Sequence, residues 1–264
     1  AHHVVVDHVS IDNSKDGNID ITHGAHDVTV QWSILGLTPQ GKNMLVKTQL
    51  ENTPAETNRI SLHHNMYVNS AGRNPRISNL ATGAKLATDI TVDFRNNIVA
   101  NWGSGIGTDV ECGAKANIVN NVYSSPAGSS VKQKQAITIR PPVPNSYGKF
   151  NCDEALPNGP SYRGSAYVDG NINHQGNVQN IYDDPAQSDP AGLQPSPYPA
   201  PSIPITDACT AAQAVKQGAG AIPRDSRDTQ LISTLTIPLC SGSIPPPPTP
   251  PPPTPPPPTP PPPT

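Results

Sequence analysis

Aromatic residues make up only 4% of this 264-residue chain, and charged residues only 14%. A core built on stacked rings is therefore excluded, as is a surface laced with ion pairs. The formal net charge of −3 offers no basic footprint for nucleic acid. No run of about 18 apolar residues occurs, so no segment reads as a membrane span. Cysteine is confined to Cys112, Cys152, Cys209 and Cys240, without the CxxC spacing of a zinc site. Four cysteines permit two disulfides in three pairings. We expect Cys209–Cys240, bracketing the last helix, with buried free thiols as the alternative.

Proline, by contrast, is abundant, with 34 residues. From Pro245 to Thr264 the chain repeats four prolines and a threonine. This tail should adopt polyproline II, roughly 60 Å long at about 3.1 Å per residue. We therefore divide the chain into a folded domain at 1–244 and a Pro/Thr linker at 245–264, the tail leading to a further domain. A recognition peptide for a proline-binding domain is the competing reading.

Asparagine, serine, threonine and short aliphatic residues supply the rest, in a repeating order. Apolar strands centred on Val4-Val5-Val6, Val28-Thr29-Val30, Ile60-Ser61-Leu62, Ile90-Thr91-Val92 and Ala116-Asn117-Ile118 are each followed by a polar, then aliphatic, turn. Aligning Ser10, Ser33, Asn65, Asn97 and Asn121 gives intervals of 23, 32, 32 and 24 residues. A period near 23 suits one turn of a three-sided parallel β-helix, and 32 suits one turn plus a loop insertion. Each coil of such a solenoid exposes an apolar face until its neighbour covers it. The stacked asparagines can hydrogen-bond along the axis, as side-chain ladders do in cross-β arrays. Further coils are expected at Ala136–Arg140 and Tyr167–Ile172, and loops at 141–165 and 183–205. Thr206–Gly218 reads as a short C-terminal helix with Asp207 as N-cap and Gly218 as stop, and Asp228–Leu235 as another short element. The fold class is thus all-β, a single-stranded parallel β-helix solenoid with a β-sandwich as the alternative.

Candidate chemistry lies on the early coils. Asp16-Gly17-Asn18-Ile19-Asp20 places two carboxylates around a glycine, and hard oxygen ligands of this kind suit Ca²⁺. Alone, such a pair is more often a surface turn. Lys42 follows in the next insertion, and Arg73 and Arg76 in the one after. Successive coils sit about 4.8 Å apart, so Asp16, Asp20, Lys42 and Arg73 converge on one face despite their separation in sequence. Taken singly, Lys42 or Arg73 reads as a solvated surface charge; their occurrence together carries the functional reading. Adjacent His63-His64 point to opposite faces of a strand and make a poor zinc pair. Gly103-x-Gly105-x-Gly107 lacks the strand-to-helix context of a nucleotide loop. Trp32 and Trp102 read as packing residues.

The run Val6-Asp7-His8-Val9-Ser10, then Asp16-Gly17-x-x-Asp20-Ile21, then Val28-Thr29-Val30-x-x-Ser33, resembles the signature of pectate lyase family 1. Lys42-x-Met44-Leu45, His63-His64-Asn65, Arg73-Asn74-Pro75-Arg76, Phe94-Arg95-Asn96-Asn97 and Asn101-Trp102-Gly103 follow in that family's order. The resemblance covers about residues 3–232. It implies a right-handed parallel β-helix that is secreted, monomeric and acts on pectate (polygalacturonate) by Ca²⁺-dependent β-elimination. It further implies that Asp16 and Asp20 are calcium ligands, that Lys42 holds a substrate carboxylate, that Arg73 is the catalytic base, and that Arg76 lies at the substrate. The sequence departs from the family at Ser78, where a second arginine is usual, and at Gln40, where histidine is common. The strand at Val4 is also the first to appear, so the family's earlier coils, with a third calcium carboxylate, are expected to be missing. A calcium-independent pectin lyase-like enzyme and a non-catalytic polysaccharide-binding β-helix are the alternatives.

Overall fold

The computed structural model describes residues 1–36, 41–49, 57–80, 90–103, 106–124, 135–140, 163–173, 176–177, 190–204, 206–235, 237 and 240. The tail and Cys152 lie outside them. Three short strands per turn wind the chain into a right-handed parallel β-helix. The first sheet stacks β1 (His2–Asp7), β4 (His26–Gln31), β7 (Asn58–His63), β10 (Thr91–Arg95), β13 (Lys115–Val119) and β16 (Ser165–Asp169). The second stacks β2 (Ser10–Ile11), β5 (Ile34–Leu35), β8 (Met66–Val68), β11 (Ile98–Ala100), β14 (Val122–Ser124) and β17 (Ile172–Asn173), ending on a short antiparallel β18 (Gly176–Asn177). The third, which carries the candidate site, stacks β3 (Ile19–Thr22), β6 (Met44–Gln49), β9 (Arg76–Leu80), β12 (Thr108–Glu111) and β15 (Ile137–Ile139).

Strand alternation decides which residues go inside. In the first sheet Val4, Val28, Ile60, Val92, Ala116 and Ala166 form one inward row, and Val6, Val30, Leu62, Phe94, Ile118 and Val168 the next. The third sheet answers with Ile21, Val46, Ile77, Val110 and Ile139. Like residues therefore stack on like at each coil, and β-branched side chains suit such a pleated surface. The second sheet is apolar on both faces, because α1 (Ala208–Gly218) packs Ala208, Ala212 and Val215 on its outer residues Ile34, Met66, Ile98 and Val122. Burial on both sides is why its strands read as unbroken apolar runs.

The expected side-chain column forms at the turn from the first sheet to the second. The amides of Ser33, Asn65, Asn97 and Asn121 donate to the side-chain oxygens of Asn65, Asn97, Asn121 and Asn171, at 3.0, 2.8, 2.9 and 2.9 Å. Register corrects the sequence alignment once. Ser10 pairs with Ile34, so Val9, not Ser10, occupies the column position of the first coil. The interval of 32 from Asn65 to Asn97 holds, with Val92 opposite Ile60. The extra residues of the long coils also fall elsewhere than expected, between β6 and β7 and between β9 and β10. Lys42 and Arg73 instead sit in the ordinary connectors that enter β6 and β9.

After the last coil the chain returns along the outside of the second sheet. Asp207 caps α1 by accepting from the amides of Cys209 and Thr210, and Cys209 and Cys240 form the expected disulfide. Cys112 is disulfide-bonded as well. A second helix, α2 (Ser226–Thr234), capped by Asp225, reaches the first coil. There the Ser10 hydroxyl donates to Asp228, the Ala221 amide donates to Ser10 Oγ at 3.0 Å, and Arg227 pairs with Asp12 at 2.7 Å.

Candidate active site on the third sheet

The connectors entering β3, β6 and β9 stack before their strands begin. Asn18 N donates to Asn43 O at 2.8 Å, Asn43 N to Gly72 O at 3.2 Å, and Met44 N to Arg73 O at 2.7 Å. Lys42 pairs in parallel with Gly72. This stacking brings Asp16, Lys42 and Arg73 together. Lys42 Nζ lies 2.6 Å from Asp16 Oδ1. The hydrogen bond and charge of Lys42 hold the Asp16 carboxyl below its ordinary value, and Arg73 acts on it in the same direction. Asp16 is largely exposed, with 68% of its side chain open to solvent, so the cluster faces outward. Arg73 occupies the left-handed region at φ 58°, a conformation that L-residues hold at a cost. Turn residues such as Trp32, His64 and Asn96 do the same here, so this backbone state belongs to the coil corners generally.

Asp20 stands two residues beyond Asn18 on β3, and Gly17 explains how it fits. A Cβ on Gly17 would lie 3.3 Å from an Asp20 carboxylate oxygen, so the bare glycine opens the space that this carboxylate occupies. Asp16 and Asp20 thus offer hard oxygens flanking one glycine. Among the described residues no group of three His, Cys, Asp or Glu side chains is arranged to hold a metal.

Arg76 belongs to a different group. It shares a row with Asp20, Leu45 and Asp109, two coils along from Asp20, or about 10 Å at one strand spacing per coil. Its guanidinium turns to the next coil and meets Asp109 at 3.0 Å and Glu111 at 3.7 Å. Arg140, directly after β15, holds the same two carboxylates from the other side, at 2.8 Å and 3.2 Å. Asp109 and Glu111 are almost fully buried. Burial pushes the Glu111 carboxyl up to about 7, with the neighbouring Asp109 charge adding to the effect. Ser78 hydrogen-bonds Glu111, so the position that departs from the family pattern is tied into this network.

Comparison with known proteins bears on the scaffold. Over 252 residues the chain is 27% identical to a protein of Neosartorya fischeri described as probable pectate lyase C, an alignment covering 87% of this chain and 48% of that protein. An Aspergillus fumigatus protein of the same description matches equally. The chain therefore spans about half the length of these relatives. Among solved structures, a pectate lyase from Bacillus sp. N165 in complex with trigalacturonate superposes with a TM-score of 0.54 at 18% identity, over 83% of this chain and 60% of that one. The thermostable pectate lyase PL 47 gives 0.53 at 17% identity, over 85% and 53%. The fold is that of the pectate lyases. No family model matches the chain.

On this pectate lyase scaffold, Asp109, Glu111 and Arg140 are the site-proximal residues that sequence reading missed. A signal existed: Arg76-Ile77-Ser78, Asp109-Val110-Glu111 and Thr138-Ile139-Arg140 each place an aliphatic residue between polar or charged ones at the coil period. The other conspicuous side chains are structural. Trp32 stacks on His64 at 4.5 Å and on His8 at 6.0 Å, His64 is pushed down to about 4 by burial, and Trp102 is buried.

Proposed function

We propose that this chain is the catalytic part of an exported pectate lyase, cleaving polygalacturonate by calcium-assisted β-elimination. The observation that supports this most directly is the cluster of Asp16, Lys42 and Arg73, assembled by coil stacking on the third sheet of this fold. The bare backbone of Gly17, which lets the Asp20 carboxylate lie against it, and the neighbouring Asp16 carboxylate offer the hard oxygens that suit a cation with irregular coordination. Asp16 and Asp20 would hold it. When bound, Ca²⁺ supplies a Lewis acid that draws charge from the uronate carboxylate.

Lys42 adds a fixed positive charge toward that carboxylate and stabilises the carbanion as it forms. Arg73, as the neutral guanidine, accepts the C5 proton; the C5–H electron pair becomes a C4–C5 double bond, the C4–O bond breaks, and the glycosidic oxygen leaves taking a proton from solvent water. A guanidinium is protonated in ordinary settings, so the role of Arg73, carried by resemblance, is the sharpest part of the reading to test. Arg76, held by Asp109 and Glu111, serves in this reading as a strut beneath the site. The Cys209–Cys240 disulfide suits an oxidising, extracellular location.

The test is incubation of the protein with polygalacturonate while following the ultraviolet absorbance of the unsaturated uronate. We expect product formation that a chelator abolishes and Ca²⁺ restores. Full activity in excess chelator would remove the calcium mechanism, and no unsaturated product under any condition would leave a non-catalytic polysaccharide-binding β-helix.

A further inference from the structure

The connectors that carry Asp16, Lys42 and Arg73 share a second feature, immediately behind the charged residues. Asn18, Asn43 and Asn74 point inward and make a column of their own. Asn18 Nδ2 donates to Asn43 Oδ1 at 2.8 Å, and Asn43 Nδ2 donates to Asn74 Oδ1 at 3.1 Å. Both donating amides also reach the end of β5: Asn43 to Leu35 O at 3.0 Å, and Asn18 to Gly36 O, directly after that strand, at 2.8 Å. Asn43 and Asn74 are buried. The chemistry and the direction of donation repeat those of the Asn65–Asn171 column, in which Asn97 Nδ2 donates to Asn121 Oδ1 at 3.0 Å.

We propose that Asn18, Asn43 and Asn74 are positioning residues, and that their column sets the spacing at which Asp16, Lys42 and Arg73 meet the substrate. This rests on the reading above, in which those three groups perform the reaction. Three features carry the inference. Lys42 is adjacent to Asn43 and Arg73 to Asn74, so a shift of either amide moves a charged residue directly. The connectors already share backbone hydrogen bonds, Asn18 N to Asn43 O and Asn43 N to Gly72 O, and the column adds a second, side-chain set of rungs that ties the amides themselves coil to coil. Finally, the column does not serve stability alone. Among the described residues, Asn18 Oδ1 and Asn74 Nδ2 are buried without a partner, a cost that folded proteins concentrate at functional sites.

The two columns provide their own control, being alike in chemistry and different in what stands in front of them. Asn43→Ala and Asn74→Ala are compared with Asn97→Ala by melting temperature, by kcat and KM on polygalacturonate, and by crystal structure. We expect all three to melt earlier than wild type. Only Asn43→Ala and Asn74→Ala should lose kcat, roughly 10- to 100-fold with KM changed far less, the loss that a displacement of about 1 Å brings. The crystal structure of Asn43→Ala should show Lys42 and Asp16 out of hydrogen-bond contact, and that of Asn97→Ala should retain the contact. Should Asn43→Ala fail to fold, Asn74→Ala, which removes a single rung, decides by the same measures. A kcat for the second-column variants within about twofold of Asn97→Ala would overturn the proposal. If the wild-type protein makes no unsaturated product, the functional reading fails, and the crystal structures still decide: an undisturbed Lys42–Asp16 contact in Asn43→Ala and Asn74→Ala refutes positioning.

Discussion

Replacing Asp109 by alanine should be among the most destabilising single changes available on the outside of this domain. Its carboxylate is 2% exposed and accepts from two guanidiniums, at 3.0 Å from Arg76 and 2.8 Å from Arg140. Removing one partner of a buried ion pair costs about 3–5 kcal/mol. Two features pull the value to the lower end: Arg76 keeps a third of its side chain exposed and can turn to water, and Glu111 remains to hold both cations. At about 3 kcal/mol, and about 2–4 °C per kcal/mol for a domain of this size, the melting temperature should fall roughly 6–12 °C. Asp16→Ala is the control, because the Asp16–Lys42 pair has similar chemistry but lies open to solvent; its melting temperature should match wild type. Adding Arg140→Met to Asp109→Ala should recover part of the loss, since one uncompensated cation is removed. Thermal unfolding followed by circular dichroism, at low and high salt, measures all of these. A shift for Asp109→Ala no larger than that for Asp16→Ala would refute the argument that burial decides the worth of this network.

Three further expectations concern single residues. Arg73→Lys should abolish nearly all turnover at an unchanged melting temperature, whereas Arg76→Lys should lower the melting temperature by losing the planar contact with Asp109; near-normal kcat in Arg73→Lys would exclude it as the base. Glu111 titrates at about 7 in the fold against an ordinary 4.5, so the folded state binds its proton more tightly than the unfolded chain does. The stability from that proton is fully present below about 4.5 and is lost as pH rises through about 7; Glu111→Gln should flatten this slope in denaturation series at several pH values, and an unaltered slope would assign it to other groups. Cys240→Ser opens a loop whose ends are 31 residues apart and should cost about 3–4 kcal/mol on a loop-entropy basis, seen as earlier melting, with reductant lowering the variant further only through the bond at Cys112.

Much of the fold was legible because a coil repeats its chemistry. Serine or asparagine before an aliphatic residue marks the same corner from Ser33 to Asn121, and the two-residue alternation of β4 or β13 assigns each side chain to a face. The error at Ser10 has its origin outside the coil. A polar residue there resembled a rung of the column, but its hydroxyl answers Asp228 and Ala221 from the far end of the chain, partners that no local pattern contains. Asn171 escaped alignment because 50 residues separate it from Asn121, a coil stretched beyond a recognisable period. At the candidate site, Asp16, Lys42 and Arg73 could be placed together by counting coils. The network of Arg76 with Asp109, Glu111 and Arg140 was not legible, because these residues become neighbours only when later coils stack. The Asn18–Asn43–Asn74 column was hidden in plain view, since asparagine in a connector reads first as a turn former.

The bond between Ser10 and Asp228 spans 218 residues, and it changes what kind of object this solenoid is. Repeat arrays ordinarily assemble from contacts between neighbours, so one end can consolidate before the other exists. Here the coil of Ser10 obtains its outer covering from a helix made 218 residues later. At about 5–20 residues per second, the ribosome delivers that helix roughly 10–40 s after Ser10 emerges. Through that interval the outer apolar residues of the second sheet, Ile34, Met66, Ile98 and Val122, stand uncovered, so the nascent chain needs chaperone cover along this one flank. Once α1 and α2 dock, the coil of Ser10 and the coils beneath α1 are joined through one strap, and these coils should unfold together rather than fray one by one.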